Sequence, residues 1–377
     1  MEQGGVASDR VYRLVNNEQL ETAQQSRLGV DLGLAMGDNG ELDRLVLSAV
    51  GQADDIGLLA NSLKNLKLLL QLTVMYCEKY QVKLVGSKTK LLVFNTKETV
   101  LQSMVEQAIT TISVDGEDIL PSSQASHVGF VRSVLGNEAN IVARLSSHRG
   151  AVYGLLSAGM AKGHRANPAA SLRVETVFGI PVLLSGLASL VLSAKEENLI
   201  AQHYKVHVQR LLRLHQATPA PVVFLLAGCL PLPAQLHIKM FTLFGQLCRL
   251  RSGDNVLTAR ARIIFSAASP TTRSWFWMIR QLSLQYGLPH PLDWLDSRPS
   301  KQVVKSKVRA ADLEVIVNDC MELSAVQFWL DCSTMSPVIT AVQQVGESIL
   351  FGILKMTRNY CHGLYRARAA LLESDSD

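Results

Sequence analysis

The sequence predicts an α+β protein, in which a small antiparallel sheet with helices is followed by an all-helical, basic region. Three observations lead to this class. Hydrophobic residues make up 48% of the 377 residues and charged residues 18%, so the chain can bury a sizeable core. Short alternating apolar segments separated by turn residues fill the chain up to about residue 135, as in antiparallel strands. From residue 141 onward the apolar residues recur every three or four positions, which is typical of helices.

The first strands surround a pair of aspartates. Residues 42–59, LDRLVLSAVGQADDIGLL, predict a strand, a tight turn and a second strand, with Asp54 and Asp55 at the turn. The next segment has apolar residues at 59, 63, 66, 70, 74, 77 and 80, and this spacing predicts an amphipathic helix of about five turns. We therefore expect both carboxylates at the tip of a hairpin that a helix follows.

More short strands are predicted after this helix. Residues 82–85 and 91–94 are strand candidates. Residues 111–120, TISVDGEDIL, predict a hairpin, because Asp115-Gly116 is a favoured two-residue turn. Residues 125–135 alternate as one more strand, which completes a predicted first domain over residues 1–135.

The rest of the chain is predicted to be helical. The helical spacing covers residues 141–156, 168–192, 194–216 and 233–251. Ser193 and Glu196 have the spacing of a capping box at the start of the third of these helices. Residues 217–235 are interpreted as a proline-containing connector and 296–309 as a basic linker before a weaker helical tail. The expected second domain is therefore 136–295, and the linker and tail cover 296–377.

Charge is distributed unevenly along the chain. Residues 1–60 carry a net charge of −6 and residues 141–262 a net charge of +10, although the whole chain carries only +5. An acidic end beside a basic middle suits a metal site next to a surface for a polyanion. A solvated basic face without a partner is the plainer interpretation.

Several function classes find no support in the sequence. The six cysteines are scattered without a Cys-x-x-Cys pair, so we expect reduced thiols in an intracellular protein rather than a zinc ribbon or disulfide framework. Walker A, G-x-G-x-x-G and nucleophile-elbow motifs are absent. His203 and His207 have a spacing that can bind zinc but lack the His-Glu-x-x-His pattern, which favours surface or phosphate-contacting roles.

One uncharged stretch, residues 177–194, has the length of a short membrane span. It contains Pro181, two glycines and three serines, so buried core helices are favoured and no membrane partner is expected.

The adjacent aspartates have two interpretations. Carboxylates at the tip of a rigid hairpin can bind Mg²⁺, which prefers one or two carboxylates together with phosphate oxygens. Aspartate is also a common turn residue, so Ala-Asp-Asp alone does not decide between a metal site and a turn.

Four segments follow one another in a characteristic order: EQGGVASDRVYRLVNNEQLE, QADDIGLLANS, VKLVGSKTKLLVF and ASHVGFVRS. This ordered series resembles the motifs of the reverse transcriptases of non-LTR (LINE-type) retrotransposons, and the resemblance covers roughly residues 1–295. The start of the chain resembles their motif B, which implies that four matching residues position nucleotide or template: Gln3, Gly4, Gly5 and Ser8. QADDIGLLANS resembles the catalytic Ala-Asp-Asp motif, so Asp54 and Asp55 are implied to be catalytic metal ligands. VKLVGSKTKLLVF resembles motif D, in which Lys88 is implied to protonate the leaving pyrophosphate.

The later segments resemble the primer grip and thumb of the same enzymes. ASHVGFVRS is similar to the primer-grip hairpin, with matching residues His127, Val128 and Gly129. Residues 177–238 resemble the thumb helices, which implies a helical domain that grips the template and primer. The basic residues that we expect to contact the nucleic-acid backbone are Arg144, Arg149, Lys205, Arg210 and Arg213.

The chain also departs from the family. No segment matches the fingers or motif A, which supplies the first metal-binding aspartate, and Gln52 replaces the aromatic residue before Ala-Asp-Asp. The resemblance therefore implies a partial palm and a thumb that are inactive on their own, and it leaves open whether the chain is an enzyme. In the intact family the partners are an RNA template, a DNA primer, deoxynucleotides and Mg²⁺. The alternative is a non-enzymatic nucleic-acid-binding remnant that uses the basic helical region.

Overall fold

The computed structural model describes residues 8–36, 42–52, 55–94, 99–100, 103, 112–127, 130–155, 168–212, 214–249 and 274–323. These residues fall into two compact units. The first unit draws its described residues from 1–143 and 246–277, and the second from 144–245 and 278–377. The α+β class predicted from the sequence is confirmed, because short antiparallel sheets occur together with many helices.

The early part of the chain contains paired strands and two long helices. In chain order the elements are α1 (Ser8–Gln25), β1 (Val30–Met36), β2 (Leu42–Leu47), β3 (Ala49–Gln52), β4 (Asp55–Leu58), α2 (Leu63–Lys79), β5 (Ile112–Val114), β6 (Glu117–Ile119), β7 (Gln124–His127) and β8 (Phe130–Ser133). Each strand pairs antiparallel with one neighbour, giving the sheets β1–β2, β3–β4, β5–β6 and β7–β8.

Helix α1 packs against both β3 and α2. Gly51 of β3 allows a close approach, because a Cβ there would lie 2.9 Å from Leu20 Cδ1 of α1. The side chain of Gln24 joins α1 to the backbone that precedes β3: its Oε1 accepts from the amide of Ser48 at 3.2 Å, and its Nε2 donates to the carbonyl of Val46. The β3–β4 hairpin is therefore held from one side by a helix.

Helix α2 and the β5–β6 hairpin share a small apolar core. The hydroxyl of Ser62 caps α2 by accepting from the amide of Asn65 at 3.2 Å. The buried residues of this core are Leu91, Ile112, Val114 and Ile119, and Leu63, Leu66 and Leu70 of α2 pack against them. The predicted Asp115-Gly116 turn is confirmed, with φ of 53° and 77° as a two-residue hairpin turn requires.

Two strand predictions in this region were wrong. Residues 82–85 and 91–94 do not form the predicted strands; a short 3₁₀ turn (Gly86–Lys88) lies between them, and Leu91 forms an isolated bridge with Pro121. The predicted single strand over 125–135 is instead the β7–β8 hairpin. A short hairpin places alternate side chains on both strands, so its hydrophobic pattern resembles that of one longer strand.

Helices make up most of the later part of the described chain. They are α3 (Glu138–Leu155), α4 (Pro168–Val174), α5 (Ile180–Leu183), α6 (Ala194–Leu212), α7 (Ala220–Ala227), α8 (Leu232–Leu247), α9 (Trp275–Gln285) and α10 (Lys301–Met321). A π-helical turn (Glu175–Gly179) joins α4 to α5 without a break. The predicted capping box is confirmed, since Glu196 Oε2 accepts from the Ser193 amide at 2.7 Å and the Glu196 amide donates to the Ser193 hydroxyl.

Three predictions for this part need correction. The helix predicted over 168–192 ends near Leu184, because Gly186 adopts the left-handed conformation with φ of 74°. The connector at 217–235 contains α7, which begins after Pro219. The linker at 296–309 contains the start of α10, where the Ser300 hydroxyl accepts from the Val303 amide.

The core of the second unit centres on α8. Phe241 and Phe244 are fully buried, and both rings contact the indole ring of Trp294. In the part of the chain that the structure describes, no single helix is long and apolar enough to cross a membrane. Helices α7 and α8 together pass that test by length and composition, but they are bent by 65° at their break.

Candidate functional site

The Asp54–Asp55 pair of the sequence analysis is described only at Asp55. Asp55 opens β4, pairs across the hairpin with Gln52 and is exposed to solvent. Ala53 and Asp54, which connect the two strands in the sequence, lie outside the described residues. The predicted hairpin strands are confirmed as β3 and β4, but the first predicted strand is divided at Ser48, because β2 pairs with β1 and only β3 pairs with β4. Mg²⁺ binding by the two aspartates stays a prediction.

The other residues implied by the resemblance are distributed over several elements. Lys88 is exposed on the 3₁₀ turn, and this turn packs against β6. Ser8 is the first residue of α1 and His127 is the last residue of β7. Five further predicted positions fall beyond the described ranges: Gln3, Gly4, Gly5, Val128 and Gly129. The structure brings Lys88 to the β5–β6 hairpin and Asp55 to the β3–β4 hairpin.

The predicted backbone-binding residues lie on two helices. Arg144 and Arg149 are on α3, and Lys205 and Arg210 are on α6. Arg149 and Arg210 are exposed, whereas Arg144 and Lys205 are half-buried. Arg213 is not among the described residues.

A second group of polar side chains, which we call the His–Glu cluster, lies inside the second unit. It consists of His148 on α3, Glu175 at the π-helical turn, and His203 and His207 on α6. The side chains of His148 and Glu175 are 1% and 2% exposed, and that of His207 is 14% exposed. Three segments that are distant in sequence therefore meet around one carboxylate.

Glu175 bridges two imidazole rings. His148 Nε2 lies 2.8 Å from Glu175 Oε1, and His207 Nε2 lies 2.9 Å from Oε2. Each carboxylate oxygen thus accepts a hydrogen bond from a ring N–H. The remaining nitrogen of His148, Nδ1, lies 3.0 Å from His203 Nε2.

Gly179 leaves space for the Glu175 carboxylate because it has no side chain. A Cβ on Gly179 would lie 2.2 Å from Glu175 Oε2, which is far closer than two such atoms can approach. Gly179 follows Glu175 by four residues within the π-helical turn. Such π-helical turns inside α-helices frequently occur at functional sites.

The environment fixes the charges of two members of the cluster. Burial on its own would raise the pKa of Glu175, but the hydrogen bonds from His148 and His207 outweigh it and lower the pKa to about 2. Burial, followed by the charges of His148 and Arg149, lowers the pKa of His203 to about 4. At neutral pH the cluster therefore contains an ionised carboxylate and a neutral His203.

Another series of hydrogen-bonded side chains in the second unit joins α8 to α10 through Tyr286, the residue directly after α9. His237 Nδ1 lies 2.7 Å from the Tyr286 hydroxyl, which donates to Asp312 Oδ2 at 3.2 Å. Burial lowers the pKa of His237 to about 4 and raises the pKa of Asp312. These hydrogen bonds connect α8 to α10 through side chains that pair with one another.

Sequence reasoning identified only part of the His–Glu cluster. The spacing of His203 and His207 can bind zinc, but the sequence favoured surface or phosphate-contacting roles for them. That interpretation was wrong, because both rings lie in a partly buried cluster with His148 and Glu175, which were not recognised as their partners. The available signal was a lone glutamate, Glu175, directly before a long uncharged stretch. A buried carboxylate requires a positive or hydrogen-bonding partner, so its position pointed to a polar partner elsewhere in the chain.

The chain was compared with known proteins in three ways. No protein-family model matches it, and no curated protein and no solved structure matches it either.

Proposed function

We propose that the chain is a fragment of a non-LTR retrotransposon reverse transcriptase, comprising part of the palm and a helical thumb. The observation that carries this proposal is the β3–β4 hairpin, which presents Asp55 to solvent at the start of its second strand. Helix α1, from the motif B region, packs on β3, and helix α2 follows the hairpin and contacts both α1 and β4. Three segments that carry the resemblance therefore pack together as one cluster.

The chemistry of the hairpin is metal-assisted nucleotidyl transfer in the intact family. Two Mg²⁺ ions activate the attacking hydroxyl and stabilise the leaving pyrophosphate in that reaction. The 377-residue chain supplies Asp54 and Asp55 but no segment that matches motif A. We therefore expect it to bind one divalent ion weakly at this hairpin and to lack polymerase activity on its own.

A non-enzymatic nucleic-acid-binding role is the second candidate. It is favoured by the net charge of +10 over residues 141–262 and by the exposed guanidinium groups of Arg149 on α3 and Arg210 on α6. Phosphate contacts of this kind weaken steeply as salt concentration rises.

Paramagnetic Mn²⁺ tests the proposed palm hairpin. In NMR spectra of the full chain we expect Mn²⁺ to broaden amide signals of residues 49–58, and we expect Asp54→Ala to abolish this local broadening. Asp118→Asn is the matched control, because Asp118 is an exposed aspartate on β6 of another hairpin. Absence of broadening at residues 49–58 would contradict the proposed metal-binding hairpin.

Primer extension and duplex binding separate the two candidate roles. We expect no extension of an RNA-templated DNA primer, together with duplex binding that becomes weaker as salt is added. Arg149→Gln and Arg210→Gln should each lower the salt slope by about one. Extension that Asp54→Ala abolishes would overturn the expectation of inactivity, and salt-insensitive or undetectable duplex binding would overturn the nucleic-acid-binding role.

A further inference from the structure

We propose that His148, Glu175 and His207 form a binding site for a divalent transition metal of the zinc class. This inference is independent of the proposed polymerase ancestry, since it concerns the helical unit alone. Two imidazoles and one carboxylate are a donor set that zinc accepts in proteins, with a fourth position left open. The three ligand atoms lie within 4.8 Å of one another.

The spacing of these atoms fits a metal after small movements. Tetrahedral zinc with bonds of about 2.1 Å separates its ligand atoms by about 3.4 Å. The two nitrogen–oxygen pairs that involve Glu175 are 2.8 and 2.9 Å apart, and the widest separation does not exceed 4.8 Å. Ligand-atom shifts of about 1 Å or less would therefore accommodate the ion.

His203 provides the outer hydrogen bond that metal-binding histidines usually have. A metal on His148 Nε2 requires the ring proton to be on Nδ1, and Nδ1 lies 3.0 Å from His203 Nε2. The Nδ1–H of His148 then donates to a neutral His203, which fixes the tautomer and the orientation of the ligand ring. This hydrogen bond gives His203 a positioning role.

Metal binding requires the imidazole protons of the cluster to change position. When His148 and His207 bind the ion, each ring carries its proton on Nδ1 instead of Nε2. His203 carries its proton on its own Nδ1, because its Nε2 accepts from His148 Nδ1–H. Glu175 keeps its negative charge throughout, so the metal replaces the two N–H donors that the carboxylate now uses.

The surrounding elements hold the ligand residues in place. Gly179 leaves the space that the Glu175 carboxylate occupies, and α3 and α6 supply the histidines from regular helices. His207 keeps 14% of its side chain exposed, so one of the three ligand residues lies at the edge of the buried cluster.

Cobalt(II) and zinc(II) titrations of the full chain test the proposal. We expect one equivalent of Co²⁺ to produce the visible absorption of a four-coordinate site and one equivalent of Zn²⁺ to displace it. His207→Gln and Glu175→Gln should weaken the metal affinity at least about 100-fold, and His203→Gln should weaken it about 10- to 100-fold. His215→Gln, at an exposed histidine on the loop after α6, is the matched control and should leave the affinity unchanged.

The wild-type chain keeps the test decisive even if Glu175→Gln does not fold. Failure of the wild-type chain to bind Co²⁺ or Zn²⁺ would overturn the proposal and leave a purely hydrogen-bonded cluster. A thiolate-to-cobalt charge-transfer band, or binding that persists in a folded His207→Gln variant, would place the metal at other residues and would also overturn it.

Discussion

The ion pairs described in the two units differ in how deeply they are buried. The described ion pairs of the first unit are exposed: Glu18 with Lys79, Asp31 with Arg44 and Asp115 with Lys83 have side chains that are 33% to 76% exposed. In the second unit, Glu175 pairs with His148 and His207, and its own side chain is only 2% exposed. Among the described ion pairs, those of the first unit lie in water, whereas the second unit buries a carboxylate among helices.

This difference has energetic consequences. Exposed pairs add little to stability, because water and salt screen them and two side chains must be ordered. A buried pair is costly to form, and removing one partner leaves a polar group without compensation. We therefore expect the stability of the second unit to depend on a few buried polar residues, and that of the first unit on apolar packing and helix caps.

The largest loss of stability is expected at Glu175, and it can be compared with Glu18, because each of these carboxylates accepts hydrogen bonds from two partners. Glu175→Gln, measured in metal-free buffer, should lower the free energy of unfolding by about 3–5 kcal/mol, because it breaks a buried ionic cluster. Glu18→Gln is the matched change at the exposed carboxylate that accepts from Lys79 and Tyr80. Urea unfolding provides the measurement, and equal shifts in the two variants would contradict the comparison.

A pH effect should follow from His237. Its pKa is about 4 in the folded chain because it is buried, against about 6.5 when unfolded. As pH falls below 6.5 the unfolded state takes up a proton that the folded state does not, so stability is lost between pH 6.5 and 4. The loss should reach about 3 kcal/mol.

Replacing His237 should remove this dependence. In His237→Gln the free energy of unfolding should change less between pH 6.5 and 4, while the exposed His215→Gln control should keep the wild-type slope. Both variants keep Tyr286 and Asp312. If the free energy of unfolding of His237→Gln changed with pH as in the wild type, the pH effect would belong to other groups.

Alanine substitutions at two glycines test how closely the backbone approaches the Glu175 carboxylate. Gly179→Ala should destabilise the chain by about 1–3 kcal/mol, because its Cβ would overlap the Glu175 carboxylate. Gly150→Ala on α3 has no atom within 4 Å of the new Cβ and should stabilise by about 0.5–1 kcal/mol through helix propensity. Thermal unfolding of the two variants checks the opposite signs, and stabilisation by Gly179→Ala would contradict the observed contact.

The smallest loss of stability is expected from removing a helix cap, and it should be equal in the two units. Ser62→Ala removes the cap of α2 and Ser300→Ala removes the cap of α10, and each should cost about 1 kcal/mol. A cap is a local interaction, so its energy does not depend on how the rest of the unit buries its charges. Urea unfolding that gave clearly different costs would show that tertiary context affects even these caps.

Local patterns in the sequence predicted much of the fold. The α2 helix, the β5–β6 turn at Asp115-Gly116 and the capping box at Ser193 are all encoded within a few neighbouring residues. The errors arose where one hydrophobic pattern is compatible with more than one kind of secondary structure. The π-helical turn at Glu175 is one such case, since its periodicity is that of an ordinary helix until Gly186 ends the segment.

The predicted hairpin and the His–Glu cluster differ in how far apart their residues lie in the sequence. Asp54 and Asp55 are adjacent in the sequence, so a short motif was enough to select them. The cluster joins His148, Glu175 and His207 over a span of sixty residues, and only His203 and His207 shared a recognisable spacing. No local pattern connects His148 or Glu175 to that pair.

The sequence by itself determined the α+β class, the β3–β4 hairpin and most helix positions, because hydrogen bonds and apolar periodicity act over a few residues. Only the tertiary structure decided which polar side chains are buried together. Packing of α3 and α6 around the π-helical turn places two imidazoles on the Glu175 carboxylate, and burial there makes the pairing necessary.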